Sequence, residues 1–197
     1  MQMKILNLKC KLTNCYLIES NCGWIMIDTD FPDTLPQLLH LLKQYDIRIS
    51  NIKYLLVTHF HPDHAGIAQN LKSLGINLIL HENQVPFIDK LNKFFKKNPK
   101  FRYKDIAADD NIVVSSVESR KLLKNLGMEG EIIPTPGHSD DSISLIIDEC
   151  CAFTGDLPAF EIMEAYDDQT IKESWKLIRG YNVIKIYPAH GNSYTLI

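Results

Sequence analysis

Between Val57 and His64 the sequence reads Val-Thr-His-Phe-His-Pro-Asp-His. Three imidazoles and a carboxylate within six residues suit a divalent cation, zinc first, with manganese or iron also accommodated. An apolar strand, Tyr54–Val57, precedes them, so the donors fall in the loop where that strand ends. His59 and His61, two apart on extended chain, project to one side and can share one cation. Pro62 forbids an immediate helix. Asp63 and His64 follow where the chain turns into the next helix, and their side chains can diverge toward a second cation. With 7 histidines in 197 residues, chance produces this four-residue pattern somewhere in the chain below roughly one time in a thousand. A helix-capping role would explain Asp63 and leave three histidines without one.

Three further donors stand at apparent strand ends. His138 lies in Pro-Thr-Pro-Gly-His-Ser after a strand ending at Ile133. Asp156 lies in Phe-Thr-Gly-Asp after the strand Cys150–Phe153, and His190 lies in Tyr-Pro-Ala-His-Gly after the last strand. Singly, each reads as a turn aspartate or a solvated histidine. Jointly, they bring five of the 7 histidines to places where several chain segments can converge. His40, on the exposed face of an amphipathic helix, and His81, opening a helix, are assigned no role.

The elements that must position these donors follow from periodicity. Strand runs at Lys4–Leu8, Cys15–Ile18 and Trp24–Ile27 are separated by turn residues, which predicts antiparallel pairing. Leu35, Leu38, Leu39 and Leu42 recur at helical spacing after Pro32-Asp33-Thr34. Alternation follows: strand Tyr54–Val57, helix Ala65–Leu74, strand Leu78–Leu80, helix Glu82–Phe95. The second half is read as strand Ile112–Val114, helix Glu118–Leu126, strand Glu131–Ile133, a hairpin of Ser142–Ile147 with Cys150–Phe153, helix Ile171–Ile178 and strand Val183–Tyr187. Pattern alone supports an α/β class with mixed sheets and outer helices. No repeat or linker divides residues 1–197, so one domain is expected.

In this order and context, His59-x-His61-x-Asp63-His64, His138, Asp156 and His190 resemble the metal-binding set of the metallo-β-lactamase superfamily. The likeness runs from Asp28 to His190. It implies a four-layer αβ/βα sandwich with the metals at one edge of the two sheets. It also implies that His59, His61 and His138 hold one metal, that Asp63, His64 and His190 hold the other, and that Asp156 bridges them. Two such cations, roughly 3.5–4 Å apart, can share a hydroxide that serves as nucleophile at neutral pH. Asp63 and Asp156 are the residues expected to act in catalysis, Asp63 by taking or returning a proton. Asp28, after the strand Trp24–Ile27, resembles the family's support residue and is expected to orient ligands without binding metal.

The same resemblance covers hydrolases of β-lactams, thioesters, lactones and phosphodiesters, and some iron oxidoreductases, so substrate must be argued separately. The best-known zinc β-lactamases carry cysteine where this chain has Asp156 and are exported. The N-terminal run here is broken by Lys4, Asn7 and Lys9 and lacks a cleavage site. Antibiotic hydrolysis is therefore not the expected role. The chain stops at Ile197, soon after His190, where glutathione-handling relatives continue, so the glutathione thioester is not expected either. A small thioester or lactone is the expected substrate. An iron enzyme of persulfide or oxygen chemistry is the alternative, and a phosphodiesterase comes after it. The Asn83–Asp110 region is expected to close over the pocket through a lid drawn from Lys96–Asp109, with Phe101, Arg102, Tyr103 and Lys104 as contacts, which a second copy in a homodimer could complete.

A net charge of −3 provides no general attraction for nucleic acid or anionic membrane. The run Lys93–Lys104 interleaves basic and aromatic residues and could meet an anionic substrate, although such runs are more often solvated helix ends. No apolar stretch is long enough to span a bilayer. Five unevenly spaced cysteines read as reduced thiols, which with the absent leader points to the cytoplasm.

Overall fold

Strand residues alternate between two apolar faces, and this alternation builds the layers of the fold. The computed structural model describes residues 3–196. Its first sheet runs in chain order through β1 (Ile5–Asn7), β2 (Tyr16–Ser20), β3 (Gly23–Ile27), β4 (Ile52–Leu56), β5 (Asn77–His81) and β6 (Ile112–Val114). Pairing is antiparallel from β1 to β3 and parallel from β3 to β6. The second sheet, again in chain order, comprises β7 (Gly130–Pro134), β8 (Ile143–Ile147), β9 (Cys151–Gly155), β10 (Lys185–Pro188) and β11 (Tyr194–Thr195). Within it β9 and β10 are parallel and the other pairs antiparallel.

Three apolar cores separate four layers. Leu17, Met26, Leu55 and Leu78 of the first sheet meet α1 (Leu35–Gln44), α3 (Ala68–Lys72) and α4 (Val85–Lys96) through Leu38, Leu71 and Leu91. The alternate residues Ile18, Ile25, Ile27 and Leu56 face the second sheet's Ile132, Leu145 and Phe153, and α5 (Ser116–Asn125) adds Leu123 to this middle core. On the far side Ile133, Ile146 and Ile186 pack on Ile171, Trp175 and Ile178 of α6 (Gln169–Arg179). The order helix–sheet–sheet–helix is the expected α/β sandwich. Each fully buried aliphatic side chain contributes about 1.5–3 kcal/mol, so the strand ends that carry the donors are firmly anchored.

The structure departs from expectation beside the donor loop. Pro62 does not delay a helix; it is the first residue of α2 (Pro62–Ala65), where the missing N–H costs nothing. The predicted helix Ala65–Leu74 is instead broken into α2 and α3. A Cβ on Gly66 would stand 2.5 Å from the carbonyl oxygen of Asp30, so the chain there presses against a neighbouring backbone and bends. The predicted helix from Glu82 opens with a 3₁₀ turn, Glu82–Gln84, capped by His81. The 3₁₀ segment Phe160–Tyr166 and the two-residue β11 lay below any periodic signal. Among the described residues no helix is long and apolar enough to cross a membrane.

Candidate metal centre

The seven candidate ligands meet at one edge of the sandwich. His59 and His61 lie in the loop after β4, Asp63 and His64 on α2, His138 after β7, Asp156 directly after β9, and His190 after β10. Nε2 of His59 and Nε2 of His138 each stand 3.0 Å from Nδ1 of His61. Asp63, His64 and His190 form a second group, with Nε2 of His190 3.4 Å and Nε2 of His64 3.6 Å from Oδ2 of Asp63. Asp156 stands between them. Its Oδ2 is 3.5 Å from His138 and 3.9 Å from His59, while its Oδ1 is 3.2 Å from His190 and 3.4 Å from His64. Gly155 makes this placement feasible: its φ is +56°, and a Cβ would lie 2.6 Å from Oγ1 of Thr58.

Supporting hydrogen bonds turn the ring nitrogens inward. Asp28, buried with φ +57°, accepts from the main-chain N–H of Thr58 at 2.7 Å and from its hydroxyl at 2.8 Å. Its Oδ2 also lies 3.1 Å from Nδ1 of His64, so that nitrogen carries the proton and Nε2 keeps its lone pair for the cluster. Because the Thr58 hydroxyl donates to Asp28, it can only accept from Nδ1–H of His59, 3.2 Å away. Asp28 thus orients one histidine directly and a second through Thr58, and it lies outside the donor groups. The loop between β1 and β2 does the same for the last ligand, since Nδ1–H of His190 donates to the carbonyl of Leu12 at 2.9 Å.

The electrostatics call for a cation. Burial and the neighbouring imidazoles hold the pKa of His59 well below its ordinary value, leaving a neutral donor. Burial also lowers His64, but Asp28 and Asp156 outweigh it and push the pKa up to about 10, so in the absence of a metal Nε2 holds a proton that a cation would have to displace. Burial raises the Asp156 carboxyl, while His64, His190 and His138 more than reverse that and keep it ionised. Nε2 of His64 and Oδ1 of Asp156 are buried without a hydrogen-bond partner. Each such orphan costs about 1–3 kcal/mol unless something else satisfies it. A proton can serve only one of the three converging nitrogens of His59, His61 and His138; a divalent ion can serve all three. Five imidazoles and two carboxylates, with no thiolate, fit zinc, iron or manganese.

Residues that carried no sequence signal complete the support. Nε2 of Gln84, fully buried, donates to the carbonyls of Val57, Thr58 and Asp141. Oδ2 of Asp141 accepts from the N–H of Phe60 at 2.7 Å, fixing the chain between His59 and His61. Oγ1 of Thr13 donates to the carbonyl of Asp63, and Nδ2 of Asn14 donates to the carbonyls of Pro188 and Gly191 on either side of His190. His81 reaches Ser116 and His40 reaches Gln44, both away from the cluster.

Comparison with known proteins establishes the family. Residues 8–190 match the family described as the metallo-beta-lactamase superfamily. The chain belongs to the metallo-β-lactamase superfamily. A beta-lactamase-like protein 2 homolog of Caenorhabditis elegans is 28% identical over 181 residues, covering 91% of this chain and 56% of that protein. Thioesterase pkgB of Emericella nidulans is 26% identical over 185 residues, covering 92% and 46%. The chain thus spans about half the length of the curated relatives it matches. Among solved structures, TTHA1623 in a di-iron-bound form superposes with a TM-score of 0.68 at 20% identity, covering 98% of this chain and 94% of that one.

On this metallo-β-lactamase scaffold two hollows flank the ligand cluster. One, of about 700 Å³, runs from His61, Asp63 and His138 to α4. The other, of about 420 Å³, lies between His138, Asp156 and His190 and the segment through Leu157, Ala159 and Tyr194. The expected lid does not form. None of Lys96–Asp109 lines either hollow. Phe101 stacks on Phe31 instead, and Tyr103 stacks on Phe95 with ring centroids 4.0 Å apart. The Tyr103 hydroxyl donates to Oδ1 of Asn92. These rings gain more by packing on one another and on the buried Phe95 than by reaching into a groove. The wall beside the ligands is α4 itself, within the expected Asn83–Asp110 region but ahead of the segment expected to close.

Proposed function

We propose that the chain is a metal-dependent hydrolase of a small ester-like compound, a thioester or lactone. In this reading His59, His61 and His138 hold one divalent ion, Asp63, His64 and His190 a second, and Asp156 lies between the two. The observation that carries the reading is Asp156, with one carboxylate oxygen toward each donor group and Oδ1 otherwise unpartnered. When bound, such a pair of ions supplies an acidified water as nucleophile and a Lewis acid for the scissile carbonyl. The protein supplies the rest. Asp28, Thr58 and the Leu12 carbonyl keep the ring nitrogens turned inward. Asp63, 3.4 Å from His190 on the wall of the smaller hollow, is placed to return a proton to a group departing there. The two hollows receive the two sides of the cleaved bond.

A named thioesterase among the relatives supports the ester class. The donor set itself favours a second reading, because nitrogen and oxygen ligands without thiolate take iron as well as zinc, and iron would shift the chemistry toward oxidation. Elemental analysis of protein purified without chelators, followed by turnover of thioesters, lactones and phosphodiesters, tests both. Two metals per chain with ester or lactone cleavage is the expected result. A chain without metal, or one that cleaves only phosphodiesters, would overturn it, and an iron protein inert toward all three classes would favour the oxidoreductase.

A further inference from the structure

Along α4, Ile88, Leu91 and Phe95 face the core. The adjacent stripe, Phe87, Lys90 and Phe94, faces the hollow that starts at the ligand cluster, with Phe60 and Pro62 of the ligand loop also in its lining. Phe94 is 45% exposed there, an aromatic surface from which the fold gains little. Lys90 is distinctive among the helix's lysines. Lys93 pairs with Asp89 and Lys96 with Asp105, while Lys90 has no carboxylate partner among the described residues. Its ammonium instead lies 3.7 Å over the ring of Phe87, in the groove wall. Of the acidic groups in the same lining, Asp63 faces His64 and His190, Asp141 is bonded to Phe60, and Asp140 is exposed on the loop after His138.

We propose that this groove binds the acyl side of the substrate, an apolar chain or ring ending in a carboxylate, and that Lys90 selects for that carboxylate. The apolar portion would lie along Phe60, Phe87, Leu91 and Phe94, and the leaving group would occupy the smaller hollow beyond Asp156. The inference rests on the hydrolase reading for the bond that is cut, but the binding it describes can be measured separately.

The test is calorimetric titration of the metal-loaded protein with two amides that resist hydrolysis, N-phenylhexanamide and N-phenyladipamic acid, alongside turnover of the matching S-phenyl thioesters. The acid should bind about fivefold more tightly than its neutral counterpart, a preference of the size expected for one partly exposed ion pair. Lys90→Met should abolish the preference and leave the neutral amide unchanged. Phe94→Ala should weaken both by about tenfold through lost apolar contact. Equal binding of the two amides overturns the proposal. So does a preference that survives Lys90→Met, since the carboxylate is then held elsewhere in the site. Amide binding unaffected by either variant, with a dimer that Phe94→Ala dissociates, would give this face to a second copy of the chain and also overturns it. If the amides behave as expected and neither thioesters nor lactones are cleaved, the hydrolase reading fails while the groove stands. If thioesters are cleaved without regard to Lys90, the hydrolase reading stands and the groove inference fails.

Discussion

The carbonyl of Leu12 accepts a hydrogen bond from Nδ1 of His190 across 178 positions of sequence, so a loop near the start of the chain sets the tautomer of the last candidate ligand. Asn14 holds that ligand's loop by two main-chain carbonyls. In Asn14→Ala, the group of Asp63, His64 and His190 should lose metal affinity by about tenfold, the low end for supporting contacts, while the group containing His138 is little changed. Competition with a chelator, followed ion by ion, reads this directly. Equal loosening at both sites would mean that the loop acts on the cluster as a whole.

Asp28 is predicted to matter to both groups, because it bonds His64 and reaches His59 through Thr58. Asn tolerates the positive φ at this position, so Asp28→Asn isolates the carboxylate's charge and acceptor capacity from backbone strain. Metal affinity should fall about 10–100-fold with circular dichroism unchanged. Unaltered affinity would reduce Asp28 to a strand-end turn residue.

Replacing Asp156 by Asn keeps size and removes the charge that faces both groups. The variant is expected to lose at least one metal and most turnover while remaining folded. Full metal content with normal turnover would show that Asp156 does not lie between two ions.

The aromatic brace behind α4 should be separable from chemistry. Phe101→Ala is expected to cost about 2–3 kcal/mol of stability by leaving a gap against Phe31 and Phe95. Tyr103→Phe should cost about 1 kcal/mol through loss of the bond to Asn92. Urea denaturation measures both. KM for the best substrate should stay at the wild-type value in Tyr103→Phe; a large rise would restore a lid-like role to this segment.

The donors were legible because each is tied to the end of an apolar strand, where period-two alternation stops and a polar residue stands out. The split between His59 with His61 and Asp63 with His64 was legible in their spacing, whereas the groups that His138, Asp156 and His190 join were legible only through the family likeness. What escaped was whatever acts through main-chain partners far along the chain. Gln84 reads as an unremarked helix-start residue, yet its amide joins Val57, Thr58 and Asp141. Asp141 belongs to none of the predicted elements, and Thr13-Asn14 stand among the turn residues that separate the first strands. The composition of Lys96–Asp109 promised contacts for a ligand but held no information on which side of α4 those rings would pack. Only the faces that Phe31 and Phe95 present after folding decide that.

All six strands of the first sheet are encoded before residue 115, and those of the second begin only at Gly130. A chain emerging from the ribosome can therefore assemble one sheet, complete with His59, His61, Asp63 and His64, while His138, Asp156 and His190 have yet to be translated. Through that interval the four candidate donors of the His59–His64 loop lack the three that the second sheet brings. The carbonyl of Leu12, made 178 residues ahead of His190, finds its partner only after the other six donors have been translated. In this fold the two proposed donor groups are therefore complete only after both sheets have been made.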